Sequence, residues 1–535
     1  MTANKKPNVL FLMVDAFRHD VFEDMDVAKQ LAPTICSLID KGFIQKLISN
    51  GMVTQVAMPS ILTQSYPFDY GGYNYGVRYR PKTFIEKLKD NGYATHFVAS
   101  HYITGPLRVY ERGCDTVRAL YDHKSIVEMY IRHVLYHELE LFDQGEITEK
   151  ELCEILLKDF DEILAYAEWP GDRIEKRWFT PRCNKNLTAA LSLKYRNERE
   201  LLRYNPKAVI NKLKTISSTM YVHFLGQEKI GRSLLFWRVV YRAQAEANRL
   251  LKIITSHPLK LFTVYKPPIA REPIDTALGL INNNHKPWFM FLHMMDVHES
   301  TKIGRWFQFL KRLRYFNKAK KIRSKSKTSR TIWYDISLMY LDNEISRLFK
   351  KLKERNQYDD TLILVSGDHG IGWDKNRNSE YEKDLGFRAY YEHVNVPYII
   401  SPTTRKPNET GMHDGMSMSA TLLDELNISP DKSYLGRSCY EAGKDAIIVE
   451  STGRGSCDLK RTDLRFTIIT KKYKLMILLC KAELIPKRLY DLENDPYEYD
   501  NIVSMPSMGD TIRGLTKHLF NERKEVLKKR GVNVL

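Results

Sequence analysis

The sequence contains no uninterrupted apolar stretch that approaches the length of a membrane-spanning helix, and its first residues lack the apolar core of a secretion signal. Cysteine is also scarce, since the seven cysteines are scattered and form no Cys-x-x-Cys pair. This odd number and spacing argue against a zinc ribbon or a disulfide framework and favour reduced thiols. We therefore expect a cytoplasmic protein.

Nucleic-acid-binding signatures are missing as well, although the chain is strongly basic. The formal net charge is +18, and residues 301–330 hold twelve Lys or Arg and no Asp or Glu. Apolar residues recur at helical spacing in the first half of this basic segment, as at Trp306, Leu310 and Leu313. Two interpretations stay open: a solvated face of a packed helix, or a surface for an anionic membrane or substrate. A nucleic-acid partner is not expected.

The order of predicted strands and helices indicates an α/β protein. An apolar run at 7–14 predicts a buried strand, and a helix near 28–41, a glycine-terminated helix at 83–92 and a strand at 93–100 follow it. Such alternation is typical of a doubly wound, mostly parallel sheet.

Two further regions depart from this alternation. Residues of about 120–280 are rich in helical patterns and predict a helical insertion. Short strands separated by turns follow residue 430 and predict a small antiparallel sheet closed by a helix near 510–529. We therefore divide the chain into an α/β domain at 1–430 and a smaller α+β subdomain at 431–535.

The most informative motif is Gly-Asp-His-Gly at 367–370, directly after the apolar strand 361–366. A strand that ends in Asp368 and His369 places a carboxylate oxygen and an imidazole nitrogen at the carboxyl edge of a sheet, where α/β proteins build their sites. The first strand ends in another carboxylate, Asp15. Together these residues predict a metal site.

In this arrangement the chain resembles the alkaline phosphatase superfamily, on its sulfatase-like branch. Five stretches carry the resemblance, in the family's order: 7–20, 334–348, 360–370, 391–397 (Tyr-Glu-His-Val-Asn-Val-Pro) and 489–496 (Leu-Tyr-Asp-Leu-Glu-Asn-Asp-Pro). The resemblance implies an α/β catalytic domain that holds divalent metal and attacks a phospho- or sulfo-ester with a side-chain nucleophile.

The resemblance also implies roles for individual residues. By matching, Asp15, Asp368 and His369 are metal ligands, and His298 contacts the substrate or protonates the leaving group. His393 matches another catalytic position.

Two departures from the sulfatase pattern are informative. Asp15 is followed by Ala16, where sulfatases usually carry a second acidic residue, and no Cys or Ser stands in the setting Cys/Ser-x-Pro-x-Arg needed for formylglycine. Thr54 instead stands five residues before Pro59, a spacing similar to that of phosphoethanolamine transferases, whose nucleophile is a threonine. These departures favour phospho-ester over sulfate-ester chemistry.

A threonine hydroxyl is a weak nucleophile and needs a metal ion or a base beside it. We expect Thr54 to bind the same ion as the three predicted ligands. The mixed oxygen and nitrogen ligands favour Zn²⁺ or Mn²⁺, with Mg²⁺ and Ca²⁺ also open. Since charge must be stabilised during transfer, we expect Arg18 and His101 to contact the anionic substrate.

Simpler interpretations stay open beside these predictions. Asp15 could cap the following helix, and Ser60 rather than Thr54 could be the nucleophile. His298 could satisfy a buried carboxylate, and His293 could point into the core or brace its strand.

The predicted function is a metal-dependent phospho-ester hydrolase or phosphotransferase that acts on an anionic substrate, such as a glycan or lipid head group. One alternative is a sulfuric ester hydrolase without formylglycine. Another is a protein of the same fold without activity, which binds polyanions or the periphery of a membrane through 301–330.

Overall fold

The computed structural model describes most of the chain: residues 6–74, 76–100, 109–120, 136–167, 185–215, 269–281, 287–300, 306–323, 329–372, 389–453 and 463–532, with six single positions (243, 246, 247, 250, 457 and 459). The predicted site residue His101 lies outside the described residues, as do 301–305 and 324–328 of the basic segment. The described residues form an eight-stranded and a four-stranded sheet.

The eight-stranded sheet is mostly parallel. Its strands are β1 (Asn8–Val14), β2 (Phe43–Ile48), β3 (Ala94–Ala99), β4 (Thr116–Ala119), β5 (Trp288–Met294), β6 (Thr361–Ser366), β7 (Asn395–Ser401) and β8 (His413–Asp414). They lie in the order β4-β3-β5-β1-β6-β7-β2-β8, and only β7 is antiparallel to its neighbours. The three central strands β5, β1 and β6 are buried almost throughout, as their continuous apolar sequences predict.

Helices cover both faces of this sheet. The described helices before the smaller sheet are α1 (Met25–Leu31), α2 (Pro33–Ile39), α3 (Thr54–Thr63), α4 (Phe84–Asp90), α5 (Tyr136–Asp143), α6 (Glu149–Ala167), α7 (Lys185–Tyr204), α8 (Pro206–Thr215), α9 (Arg271–Leu280), α10 (Trp306–Leu313), α11 (Phe316–Arg323), α12 (Ile332–Glu354), α13 (Tyr391–Val394) and α14 (Ser417–Glu425). Among the helices in the described part of the chain, none is both long and apolar enough to cross a bilayer.

Successive side chains of a strand point to opposite faces, so β1 contributes to two separate cores. Leu10 and Leu12 pack in the core that includes α1, α2, α9 and α12. Phe11 and Met13 pack in the other core, with α3, α4 and α14. This arrangement confirms the predicted doubly wound α/β fold.

The four-stranded sheet is antiparallel and lies near the C-terminus of the sequence. It consists of β9 (Ala446–Ser451), β10 (Leu464–Thr470), β11 (Tyr473–Cys480) and β12 (Glu483–Asp491), and α15 (Gly509–Glu522) and α16 (Lys524–Lys529) follow it. Side chains of both helices, among them Phe520 and Leu527, pack against one face of this sheet. The predicted C-terminal α+β architecture is confirmed, whereas the domain division at residue 430 stays a prediction.

Candidate metal and nucleophile site

The carboxyl ends of the three central strands meet at one edge of the larger sheet. β5, β1 and β6 are adjacent and parallel, and the register pairs Met13 of β1 with His293 of β5. Parallel neighbours deliver the residues at their carboxyl ends to the same edge. Asp15, His293 and the pair Asp368 and His369 therefore converge there although they are far apart in sequence.

Asp15, Asp368 and His369 form a buried group whose possible ligand atoms all lie within 4.8 Å of one another. His369 Nε2 lies 3.4 Å from Asp15 Oδ1 and 3.6 Å from Asp368 Oδ2. Two carboxylate oxygens and one imidazole nitrogen at such spacing are a donor set that suits a divalent transition metal. The geometry thus brings the three predicted ligands together.

Thr54 lies beside this group as the first residue of α3. Its Oγ1 donates a hydrogen bond to Asp15 Oδ2 at 3.0 Å and lies 3.3 Å from His369 Nε2. Val53 before it has an extended backbone, which turns the chain into the helix at this point. Ser60, the alternative nucleophile, lies within α3, and its buried hydroxyl has no hydrogen-bond partner among the described residues. The geometry supports Thr54 rather than Ser60 as the nucleophile, and this role stays a prediction.

Asp15 is a buried carboxylate surrounded by imidazoles. Burial opposes its ionisation, but His298, His293 and His369 outweigh burial and together lower its pKa. His293 Nε2 lies 3.4 Å from Asp15 Oδ2 and His298 Nε2 lies 4.0 Å from Asp15 Oδ1. Asp15 is therefore held as a carboxylate, the form that binds a cation.

Asp368 has the opposite electrostatic environment. Burial and then the neighbouring charge of Asp15 raise the pKa of its carboxyl. Its Oδ1 accepts hydrogen bonds from the backbone of Ala16 at 3.2 Å and of His369 at 2.9 Å. Two nearby carboxylates that repel each other need a positive charge between them to ionise together.

Two buried oxygens of the site have no hydrogen-bond partner among the described residues: Asp15 Oδ1 and Asp368 Oδ2. Buried carboxylate oxygens are normally hydrogen-bonded, so each such oxygen calls for an explanation. A divalent ion satisfies both at once. The residues present therefore fit the metal that the sequence predicts.

The tautomer of His369 follows from its second ring nitrogen. His369 Nδ1 lies 2.6 Å from the carbonyl oxygen of Gly370, which can only accept, so Nδ1 carries the proton. In the neutral ring Nε2 then carries the lone pair, and it lies within 3.6 Å of oxygens of Asp15, Asp368 and Thr54. Metal-ligating histidines commonly have this arrangement.

The other predicted site residues lie at different distances from the group. His298 is one-third exposed, stacks edge-on near the His369 ring and has Nδ1 3.3 Å from Glu299 Oε1. The backbone of His393 accepts a hydrogen bond from Gly370, next to His369, at 2.7 Å. Their catalytic roles stay predictions.

Arg18 has hydrogen-bond partners within the protein. Its guanidinium is buried and donates to Asp20 at 2.7 Å, to Ser329 and to the carbonyl of Ile371, near His369. In this structure Arg18 braces the loop after β6, and its contact with substrate stays a prediction.

One sequence-based interpretation changes with the structure. Asp15 does not cap the following helix, because the turn His19–Val21 begins after Arg18 and the side chain of Asp24 caps α1. The next residue, Ala16, has a left-handed backbone with φ 64°, a conformation that costs a non-glycine residue about 1–2 kcal/mol.

His293, which could point into the core or brace its strand, is fully buried and faces Asp15. Its position could have been found from alternation, since Phe289, Phe291 and His293 share the face of β5 that matches Met13 of β1. The continuous apolar run of β5 concealed this signal.

The chain is a doubly wound α/β protein with a candidate metal site at the carboxyl edge of its sheet. Known proteins share this fold. A 2-O GAG sulfatase superposes with a TM-score of 0.54 at 11% identity, covering 99% of this chain and 95% of that chain. The phosphonate monoester hydrolase SpPMH from Silicibacter pomeroyi superposes with a TM-score of 0.50 at 15% identity, covering 97% of this chain and 96% of that chain. At these identities the likeness shows the fold.

Sequence comparison relates part of the chain to a known family. Residues 263–428, which include β5, β6 and β7 with Asp368 and His369, match the Sulfatase family model. The multifunctional alkaline phosphatase superfamily protein PehA of Trinickia caryophylli is 23% identical over 205 residues, 34% of this chain and 38% of the relative, so the match spans well under half of that protein. The chain is thus similar to proteins of the Sulfatase family and of the alkaline phosphatase superfamily, in line with the resemblance that its motifs predict.

Proposed function

We propose that this protein is a metal-dependent phospho-ester hydrolase or phosphotransferase in which Thr54 is the nucleophile. The observation that carries the proposal is the position of Thr54 Oγ1, 3.0 Å from Asp15 Oδ2 and 3.3 Å from His369 Nε2. A hydroxyl held between a carboxylate and an imidazole at a sheet edge is the arrangement that an activated nucleophile requires.

Asp15 Oδ1, Asp368 Oδ2 and His369 Nε2 are the atoms that would hold the divalent ion, with Thr54 Oγ1 beside them. When bound, such an ion supplies charge that activates a coordinated hydroxyl and neutralises the oxygens of the transferred group. The donor set favours Zn²⁺ or Mn²⁺.

Each side chain of the site then has its own role in the reaction. Thr54 Oγ1, which Asp15 Oδ2 positions, gives its proton to water and forms a bond to phosphorus. The bond from phosphorus to the ester oxygen breaks, and His298, partly exposed at the edge of the group, donates a proton to the leaving oxygen. Water, or the hydroxyl of an acceptor, then attacks phosphorus and gives its proton to His298. The bond from phosphorus to Thr54 breaks, and Oγ1 takes a proton back from water.

The positive charge of the basic segment indicates the substrate class. The described part of the basic segment exposes Lys311 on α10, Arg314 between the two helices, and Lys318 and Lys320 on α11. These cations would attract an anionic glycan or lipid head group, or hold the protein at the periphery of an anionic membrane. The fold shared with a GAG sulfatase supports the glycan.

A second candidate, a sulfuric ester hydrolase, is favoured by the match of residues 263–428 to the Sulfatase family model. Formylglycine has no site in this sequence, so Thr54 would be the nucleophile here as well. The third candidate, a protein without activity that binds polyanions, is disfavoured because such a protein has no need for two unsatisfied buried carboxylate oxygens.

One experiment separates these candidates. The purified protein, loaded in turn with Zn²⁺ and Mn²⁺, is assayed with nitrophenyl phosphate monoesters, phosphate diesters and nitrophenyl sulfate. We expect the phosphate esters to turn over fastest and an acid-quenched sample to contain a phosphorylated peptide that includes Thr54. Faster turnover of the sulfate would support the second candidate instead, and no turnover with any ester would support the third.

A further inference from the structure

A buried ion pair beside the smaller sheet contacts the segment that leads into α13. Lys474 on β11 and Glu498, in the loop after β12, are 2% and 1% exposed and form a salt bridge. Lys474 Nζ also donates to the carbonyl of Ala389 at 2.9 Å, and Glu498 Oε2 accepts from the backbone N–H of Tyr391 at 3.1 Å. Both partners of the pair therefore hold the backbone at residues 389–391, where α13 begins.

The segment held in this way packs against the loop of His369. Gly370 donates its backbone N–H to the carbonyl of His393 in α13 at 2.7 Å. The two backbones are so close that a Cβ added at Gly370 would lie 2.1 Å from the carbonyl oxygen of Glu392. Gly370 in turn accepts from His369 Nδ1 at 2.6 Å, the contact that directs Nε2 toward Asp15.

We propose that Lys474 and Glu498 are positioning residues for His369. The pair fixes the start of α13, α13 fixes Gly370, and Gly370 fixes the tautomer and direction of the imidazole. A buried ion pair is rarely the most stable filling for its space, since apolar residues of similar size are often as good or better. A role in positioning explains why charges occupy this one.

The inference rests on the proposed function in one respect, because it takes His369 as a metal ligand. Partners outside the ligands that orient a metal-binding histidine typically change metal affinity by about 10–100-fold when they are removed. We expect an effect of this size from the loss of the pair.

The decisive variant is the double substitution Lys474→Met with Glu498→Leu. It removes both charges together, so no unpaired charge is left buried, and it deletes both contacts to residues 389–391. We expect about 10–100-fold weaker Mn²⁺ binding by titration calorimetry. We also expect faster amide hydrogen exchange in metal-free protein for a peptide covering residues 367–372, with strand β6 still protected. The single variant Glu498→Gln, milder in shape, serves if the double variant does not fold.

A matched control is available in the same sheet. Arg523 and Glu450 form a second buried ion pair, 6% and 0% exposed, but Glu450 accepts from Phe68 instead of the backbone of α13. The variant Arg523→Met with Glu450→Leu should leave both the Mn²⁺ affinity and the exchange of 367–372 at wild-type levels.

The readouts separate two kinds of failure. Wild-type exchange at 367–372 and wild-type Mn²⁺ affinity in the Lys474 and Glu498 variants would overturn the inference, as would equal changes in the control. Failure of the wild-type protein to bind Mn²⁺ or Zn²⁺ would overturn the proposed function instead, and the exchange measurement on metal-free protein would still decide the positioning role.

Discussion

Buried charges beside the two sheets differ in whether they have partners within the protein. At the carboxyl edge of the larger sheet, Asp15 Oδ1 and Asp368 Oδ2 are buried without a hydrogen-bond partner among the described residues. In the smaller sheet, Arg523 donates to both Glu450 and Asp69, and Glu450 also accepts from a backbone N–H. These charges of the smaller sheet are thus satisfied within the protein, whereas the two carboxylate oxygens at the edge of the larger sheet are not.

The difference distinguishes a structural charge from a functional one. Folding stability alone disfavours an unpaired buried charge, because such a charge costs several kcal/mol. The two incompletely satisfied carboxylates at the edge of the larger sheet therefore call for a partner, and a cation is the simplest one. Loss of Arg523 should affect stability, whereas substitutions at Thr54 or Asp368 should affect turnover or metal binding.

The largest expected effect is on turnover. Thr54→Ala removes the proposed nucleophile and should lower kcat/KM for the best nitrophenyl phosphate by at least about 10³-fold, while Thr54→Ser should retain part of the activity. Metal content, measured by elemental analysis, should stay within twofold of wild type for both. Unchanged turnover in the alanine variant would remove Thr54 from the mechanism while leaving the metal site in place.

The next effect is on stability. Arg523→Met leaves Glu450 buried without its cation, so we expect the free energy of unfolding to fall by about 3–5 kcal/mol. Urea denaturation followed by tryptophan fluorescence measures this loss. Mn²⁺ affinity measured at a temperature where the variant is folded should not change. A large loss of affinity would show that the smaller sheet is not purely structural at this pair.

Part of the site could be predicted from the sequence, because strand order and the residue types at the strand ends were enough to find it. Continuous apolar runs identified β1 and β6, and the residues after them gave Asp15, Asp368 and His369, since neighbouring parallel strands end together. Thr54 required the family resemblance, because a single hydroxyl in a loop has no signal of its own.

Other features depend on partners that no local pattern shows. The strand β2 carries Gln45 and Lys46 between its apolar residues, and β4 has only four residues, so neither gave a clear period. The sequence shows the charge of Arg18 but not its counter-ion, which in the fold is Asp20, and the predicted contact of Arg18 with substrate stays a prediction. The same limit concealed Lys474 and Glu498, which lie in separate elements.

A smaller effect concerns Asp296, a third buried carboxylate at the edge of the larger sheet. Burial raises its pKa to about 6, against 3.8 as the ordinary value, although Arg312 lies 3.6 Å away. The folded state thus holds this proton more tightly than the unfolded state does. Its contribution to stability is present below pH 3.8 and is lost as the pH rises through about 6.

Asp296→Asn removes this titration. Relative to wild type, the variant should gain on the order of 2–3 kcal/mol of unfolding free energy between pH 4 and pH 7, because each unit of pKa shift corresponds to about 1.4 kcal/mol. Denaturant unfolding at several pH values tests the sign. Parallel stability curves for the two proteins would mean that Asp296 ionises equally easily when folded and unfolded.

The smallest effect gives the sharpest contrast between the two sheets. Asp368→Asn keeps an oxygen that can accept from Ala16 and His369, but it removes the charge that repels Asp15. In metal-free protein we therefore expect the unfolding free energy to stay constant or rise by about 1 kcal/mol, the opposite of Arg523→Met. Excess Mn²⁺ should stabilise wild type, by about 2.7 kcal/mol at 100-fold above its Kd, and leave the variant unchanged. Thermal unfolding with and without Mn²⁺ measures both. A metal-free variant that is several kcal/mol less stable would show that this carboxylate is structural, and the distinction between the two sheets would then fail.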